Sequence, residues 1–520
     1  MKIFLIQAKN KDKDRFIINP PYGLLYLASV LRENNISVNI YDANLMKLVN
    51  DVSHFDEISK IIDRWDPDIV GIGGMISSFK FAKQLSYFIK ERYSDLTLIA
   101  GGLLISTSPV LVMKNTSIDI GCIGEAEEII VELVKRIYAK ESLEDIPGLV
   151  LRKNHSELLI TGSSTFLTGR RKRTRSNIDW IPIPSYDLID LKQYLPFQSF
   201  CDDLLKSYIK RRKMNSKTIS NVTPYAMPIF AGRGCPFNCI FCFSSMDKTP
   251  IKHSVDYVIN HIEYLETNYG INHFQFMDEN FNYYQDWVIE FCKKIIEKGN
   301  KYYFTTGNRN RVGFFTKEML ELMKKAHFYD ISVGVESLDD SVLREMNRGM
   351  SSEKIVESLK MISDAGIQQE HLRCLSGFPS DTRDSIFRAI KKGNQLGYKT
   401  LFALVMPLPG TNLYSYCVDK GLIKNELDFL EEIYTGDGYR NMTSFKSFSD
   451  LLDTILKANR YSELNYCLRK KQYLSYLKLI FIQIYRIFNR QIIKGLDFLH
   501  IKNQTKNMLK CVGLICSKKS

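Results

Sequence analysis

Short apolar runs alternate with helix-period segments along two stretches of this 520-residue chain, and that alternation restricts the fold more than any other feature. Residues 3–6, 38–41, 69–73, 97–100 and 118–123 read as strands of a first unit. Between them Leu24, Leu27, Ala28 and Leu31, and then Phe81, Leu85, Phe88 and Ile89, recur at the spacing of one helix face. Strict alternation predicts an α/β fold with a parallel, doubly wound sheet, because each crossover helix covers a sheet face. The pattern resumes at 227–233, 274–277, 302–306, 331–335, 371–375 and 400–406. Six βα units of this length predict a partial (β/α)6 barrel, in which chemistry gathers at the C-terminal strand ends.

The predicted organisation is a Rossmann-type domain over 1–150, a linker over 151–225, the partial barrel over 226–425 and a helical, basic region over 426–520. A chain of this length exceeds a single core and fits about three units. The linker reads as a hairpin (148–152 with 158–161), a basic stretch at 170–175 and the extended run Ile181-Pro182-Ile183-Pro184. The net charge of +13 sits mostly in residues 468–520, which hold twelve Lys or Arg against one acid, Asp497. There Leu477, Phe481, Ile484 and Phe488 form a stripe opposite Lys478, Arg486, Arg490 and Lys494. Such a helix either packs across the open barrel or lies on an anionic membrane surface, and the first reading is favoured. Lys478 interrupts the apolar run, which argues against a transmembrane span. The first apolar run is too short for a signal-peptide core, so a cytoplasmic protein with reduced cysteines is expected. Basic residues at 170–175 and 210–213 come with no nucleic-acid-binding module, and no nucleic-acid partner is expected.

The strongest local signal is Gly232-Arg233-Gly234-Cys235-Pro236-Phe237-Asn238-Cys239-Ile240-Phe241-Cys242. Three of the chain's eleven cysteines fall within eight positions, and the others show no regular spacing. Thiolates suit soft metals, and one short loop can present three of them to three corners of an iron–sulfur cube. A structural zinc site would need a fourth ligand, and none follows at finger spacing. Zinc and plain buried thiols remain the minor alternatives. A cluster with one open iron fits better.

Cys-x-x-x-Cys-x-x-Cys at the end of a first barrel strand, with Phe241 before the last cysteine, resembles the radical S-adenosylmethionine (SAM) enzymes. Met277-Asp278-Glu279-Asn280, Gly334-Val335-Glu336-Ser337, Gly377-Phe378-Pro379 and Pro407-Leu408-Pro409-Gly410 end later strands and look like that family's further motifs. The resemblance implies a 4Fe-4S cluster on Cys235, Cys239 and Cys242 whose open iron chelates SAM. An electron from an external donor, such as flavodoxin or ferredoxin, would then cleave SAM to a 5′-deoxyadenosyl radical. By position it implies Phe241 against the adenine, and Glu336 with Arg309 or Arg311 near the methionine or ribose. Asp278 is a further cofactor-contact candidate, with a helix N-terminal role as its alternative.

In the first unit Asn19-Pro20-Pro21-Tyr22-Gly23 opens a helix, and Gly71-Ile72-Gly73-Gly74, Gly101-Gly102 and Gly124-Glu125 end strands. Glycines there allow close backbone approach to a ligand. Joined to the barrel, this domain resembles the cobalamin-binding unit of one branch of the radical SAM enzymes, with Gly101, Gly102, Gly124 and Glu125 carrying most of the likeness. It lacks the Asp-x-His-x-x-Gly signature of other cobalamin proteins. Cys122 is its one cysteine, unlike the three of the related methylthiotransferases. The resemblance implies an enzyme that methylates an unactivated carbon of a small-molecule or lipid substrate. Cyclisation, rearrangement, oxidation and a non-catalytic corrinoid or cluster sensor are the alternatives.

Overall fold

The computed structural model describes residues 1–10, 18–45, 53–154, 157–162, 174–175, 177–194, 222–223, 225–243, 248–367 and 371–469, with further positions at 205, 471, 472, 475 and 479. Strands β1 (Lys2–Gln7), β2 (Ser37–Asp42), β3 (Ile69–Gly74), β4 (Thr97–Gly102), β5 (Ile120–Cys122), β6 (Leu149–Arg152) and β7 (Leu158–Ile160) form one sheet in the order β2-β1-β3-β4-β5-β6-β7. The first five are parallel, as the alternation predicts. Strand order reverses at β1, and the connections after β1 and β3 leave on opposite sides to open a crevice. Helix Tyr22–Glu33 starts directly after Pro21 and buries Leu24, Leu25, Ala28 and Leu31 over the sheet.

The hairpin expected in the linker belongs instead to this sheet. β6 and β7 add to it antiparallel, so the sheet ends at Ile160 rather than near residue 150. Leu149, Val150 and Leu151 are all buried, and only pairing with β5 covers both faces of so apolar a run. The rest of the linker touches both units. Ser185 N donates to Leu25 O (3.3 Å), and the Tyr186 hydroxyl bonds His261 Nε2 (2.9 Å) in helix Val255–Tyr269.

The second sheet comprises β8 (Met227–Ile229), β11 (His273–Phe276), β12 (Tyr303–Arg311), β13 (Phe328–Glu336), β14 (His371–Ser376) and β15 (Lys399–Leu404), in the order β15-β14-β13-β12-β11-β8. Its pairs are all parallel and β8 and β15 are open edges, as a partial barrel requires. The single strand expected over 227–233 is broken after Ile229. Its end, β9 (Gly232–Arg233), turns away to pair antiparallel with β10 (Ile251–Lys252). A Cβ at Gly232 would lie 2.5 Å from Ile251 O, so only glycine admits this crossing.

Helix Phe448–Arg469 covers the β15 edge and supplies the hydrogen bonds that a neighbouring strand would make. Asn459 Oδ1 accepts from Phe402 N (2.7 Å), Asn459 Nδ2 donates to Phe402 O (2.9 Å), and Ser462 Oγ accepts from Thr400 N (2.8 Å). Helix Phe448–Arg469 of the C-terminal region thus packs on the barrel, whereas Glu426–Thr435 packs on helix Phe79–Arg92 of the first unit, and the 477–494 stripe lies outside the described residues. No helix among the described residues is long and apolar enough to cross a membrane. Asn459→Ala strands both backbone groups of Phe402 and is expected to lower stability by about 1–3 kcal/mol. A urea unfolding curve superimposable on that of the parent would contradict this edge-capping role.

Candidate cofactor sites between the two sheets

The cysteine loop leaves β9 through Gly234, whose φ of +89° suits glycine. Its base is held by Asp278, which follows β11. The buried carboxylate accepts from Ala231 N (3.1 Å) and from Gly232 N, and burial pushes it up to about 7. Asp278 therefore spends its oxygens on the loop's backbone and does not start a helix, the next short turn being capped at Asn280. Cys235 and Cys239 are half-buried, Cys242 is open to solvent, and all three are free thiols.

A strap of three residues crosses the loop. Met346 O accepts from Ile240 N (3.2 Å), Asn347 Nδ2 donates to Asn238 O (3.0 Å), and Arg348 Nη1 donates to Cys239 Sγ (3.4 Å) while its Nη2 holds Gly334 O (2.7 Å). Arg311 Nη1 lies 4.0 Å from the same sulfur, with its guanidinium 3.6 Å over the Phe237 ring. Burial and then the like charge of Arg348 hold Arg311 below the usual guanidinium range. Neither arginine has a carboxylate partner among the described residues, so both cations face the Cys239 sulfur. No three His, Cys, Asp or Glu side chains among the described residues converge on one ion. A cubane spreads its thiolates over three separate irons and needs no such convergence. Donor chemistry and the facing cations fit an anionic cluster.

Phe241 packs edge-on against Phe378 (5.7 Å), whose turn is held by Gly377 N and Phe378 N donating to Asp381 (2.8 and 3.1 Å). In the Pro-Leu-Pro-Gly turn a Cβ at Gly410 would lie 2.4 Å from Phe243 Cε2. Both turns therefore shape the wall of the cysteine loop. Glu336 ends β13 buried and at φ +60°, a backbone that costs a non-glycine residue about 1–3 kcal/mol and gathers at functional sites. The side chain of Arg309 lies outside the described positions.

A cavity of about 380 Å³ opens at the C-terminal ends of β1, β3, β4 and β5, within the range of roughly 300–1,000 Å³ usual for small-molecule sites. Gly73, Gly74, Gly101, Gly102, Gly124 and Glu125 line it, with Phe230 and Arg233 of the barrel opposite. Gly102 has a packing reason to be glycine, since its φ is +74° and a Cβ would meet Gly74 O at 2.9 Å. Gly101 has none: its Cβ would touch nothing nearer than Cys122 Cβ at 3.6 Å. Tyr26 also lines the cavity, and its buried hydroxyl has no hydrogen-bond partner among the described residues. A glycine that packing does not require, beside an unsatisfied hydroxyl, fits a broad ligand with polar groups at its rim.

Arg233 joins the cavity to the loop. Its Nη1 lies 2.7 Å from Glu127 Oε1 and 4.0 Å from Glu125 Oε1, and its guanidinium stands 5.1 Å from the Tyr26 ring centre. Burial opposes the charge, but Glu127 and Glu125 outweigh it and raise the Arg233 pKa. No spacing rule in the sequence assigns a role to Arg233, Glu127 or Arg348. Adjacency to Cys235 marked Arg233. Nothing in the spacing marked Arg348, which the turn after helix Asp340–Glu345 brings to the loop.

Residues 229–393 match the radical SAM superfamily and residues 17–134 the B12 binding domain. The chain belongs to the radical SAM enzymes that carry a cobalamin-binding domain. An uncharacterised methyltransferase of Pyrococcus horikoshii is 28% identical over 433 residues, covering 81% of this chain and 84% of that protein. Anaerobic magnesium-protoporphyrin IX monomethyl ester cyclase of Rubrivivax gelatinosus is 23% identical over 414 residues, covering 77% and 67%. Among solved structures, the radical SAM methyltransferase TsrM of Kitasatospora setae aligns with a TM-score of 0.64 at 16% identity, over 81% of this chain and 76% of that one. Structures of TsrM hold cobalamin with a [4Fe-4S] cluster, and tryptophan substrate with a SAM analogue. The cofactors of this enzyme are accordingly a 4Fe-4S cluster, SAM and cobalamin.

Two outcomes test these assignments. Gly102→Ala is expected to destabilise the fold, whereas Gly101→Ala keeps the parent's melting temperature but weakens hydroxocobalamin binding about tenfold, or about 1.4 kcal/mol. Absorbance titration with parent-like affinity for Gly101→Ala would remove that wall from the cofactor site. The raised Asp278 pKa means the folded state holds this proton more tightly than the unfolded chain. Its contribution is full below about pH 4 and is lost as pH rises through about 7. Asp278→Asn should flatten that part of the stability–pH curve in urea titrations, and an unchanged slope would count against the shift.

Proposed function

We propose that this protein is a cobalamin-dependent radical SAM methyltransferase that methylates an unactivated carbon of a small-molecule or lipid substrate. The observation that carries the reading is the shared wall: Arg233, two residues before Cys235, also lines the cavity at the end of the first sheet. When bound, the cluster would supply the electron that cleaves SAM, and cobalamin would carry the methyl group towards the substrate. Cys235, Cys239 and Cys242 would hold three irons, with Arg311 and Arg348 facing the Cys239 sulfur. Glu336, with Arg309 or Arg311, would receive the methionine or ribose part of SAM, and Phe241 would pack against its adenine. Gly101, Gly102, Gly124 and Glu125 would line the corrinoid. The electron would come from an external donor such as flavodoxin or ferredoxin, in keeping with a cytoplasmic setting.

The similarity to a cyclase keeps a second radical reaction in view. Products separate the two. A methylase uses one SAM for the methyl group and one for the radical, so S-adenosylhomocysteine should accumulate beside 5′-deoxyadenosine under anaerobic incubation with SAM, hydroxocobalamin and dithionite. A cyclase yields 5′-deoxyadenosine without S-adenosylhomocysteine, and a sensor yields neither. Cys239→Ala is expected to abolish both the cluster absorbance and SAM cleavage. Retention of either would overturn the ligand assignment.

A further inference from the structure

The Arg233 ion pair does more than fill a gap between domains. It leaves the base of the cysteine loop, where β9 pairs with β10 (Arg233 with Ile251, Gly232 with Lys252), and ends on Glu127, five residues after Cys122 at the end of β5. Both side chains are nearly buried, at 11% and 9% exposure. A buried pair resists loss of either member far more than an exposed one, because the remaining charge is left without water or a partner. The backbone on each side is equally committed. Asp278 holds Ala231 and Gly232, His253 N donates to Ala231 O (2.8 Å), and Gly124 N donates to Ser106 Oγ (2.9 Å). Neither end of the pair can therefore move without disturbing its own cofactor wall.

We propose that Arg233 is a positioning residue that locks the cysteine loop to the cobalamin cavity through Glu127, so that filling one cofactor site orders the other. The inference rests on the cobalamin reading above and adds a coupling to it. Tyr26 belongs to the same device, since its ring faces the Arg233 guanidinium and its unpartnered hydroxyl lies in the cavity wall. Coupling between two sites is reciprocal, so a cavity ligand that steadies Glu127 steadies the loop by the same factor.

Two measurements test the lock, and the first needs no cofactor. In cobalamin-free protein, hydrogen–deuterium exchange should show Glu127→Gln loosening the peptide over 232–243, and Arg233→Gln loosening the peptide over 123–128, each about fivefold or more. If each substitution loosens only its own segment, the lock is refuted. The second is a double-mutant cycle on hydroxocobalamin affinity, read by absorbance. Arg233→Gln and Glu127→Gln should each weaken binding about tenfold, with the double variant no weaker than the worse single one. Arg233→Lys, which keeps a cation facing Glu127, should recover most of the loss, a rescue that a space-filling role would not give. Multiplicative losses, or no loss in Arg233→Gln, overturn the coupling. Reciprocal exchange effects in a parent protein that does not bind hydroxocobalamin would instead keep the lock and sink the cobalamin reading.

Discussion

Everything reactive in this protein depends on two sheets ending at the same place. The cavity lies at the C-terminal ends of β1, β3, β4 and β5, and the barrel residues facing it, Phe230 and Arg233, follow the C-terminal end of β8. Parallel strands make this possible, since their loops gather at one edge while the helices occupy the faces. A methyl carrier and a radical source need to address one substrate, and this arrangement brings their sites together without a long mobile loop. The surface pair Arg92–Asp63 contributes about 0–1 kcal/mol, whereas breaking a buried pair such as Arg233–Glu127 costs about 3–5 kcal/mol. The interface therefore has an electrostatic preference for one register.

The cysteine loop itself contains little regular structure, and its shape is imposed from four directions. Asp278 fixes its entry, the Met346-Asn347-Arg348 strap crosses its middle, and Leu413 N donates to Ile240 O (3.0 Å) from the far side. Gly410 presses on Phe243 at its exit. This scaffolding matters because thiolates held in place need little reorganisation when a cluster binds or changes charge. Arg311 and Arg348, facing Cys239, also place two cations where an anionic cluster would meet them.

Much of this was legible in sequence because it follows from local rules. Period-two and period-3.6 patterns mark strands and helices, and glycines and cysteines cluster where backbone or sulfur must approach a ligand. The alternation located all eleven parallel strands of the two sheets and the break between them, and the cysteine spacing located the loop. What it missed depends on partners distant in sequence. The hairpin at 148–161 looks the same in a linker or on a sheet edge until β5 is beside it. The run 227–233 looks continuous, and only the closeness of Gly232 to Ile251 shows why it breaks. Asp278 stands after a strand, and the two loop amides that it accepts from are visible only in the fold. Arg348 and the Arg233–Glu127 pair obey no spacing rule at all.

The central claim is that three cysteines hold a cluster with one iron left open for SAM. Mössbauer spectroscopy of anaerobically reconstituted, iron-57-labelled protein tests it most directly. The account predicts a 4Fe-4S spectrum in which one iron of the four changes its isomer shift when SAM is added. A cluster with four equivalent irons indifferent to SAM, or no cluster at all, would contradict it.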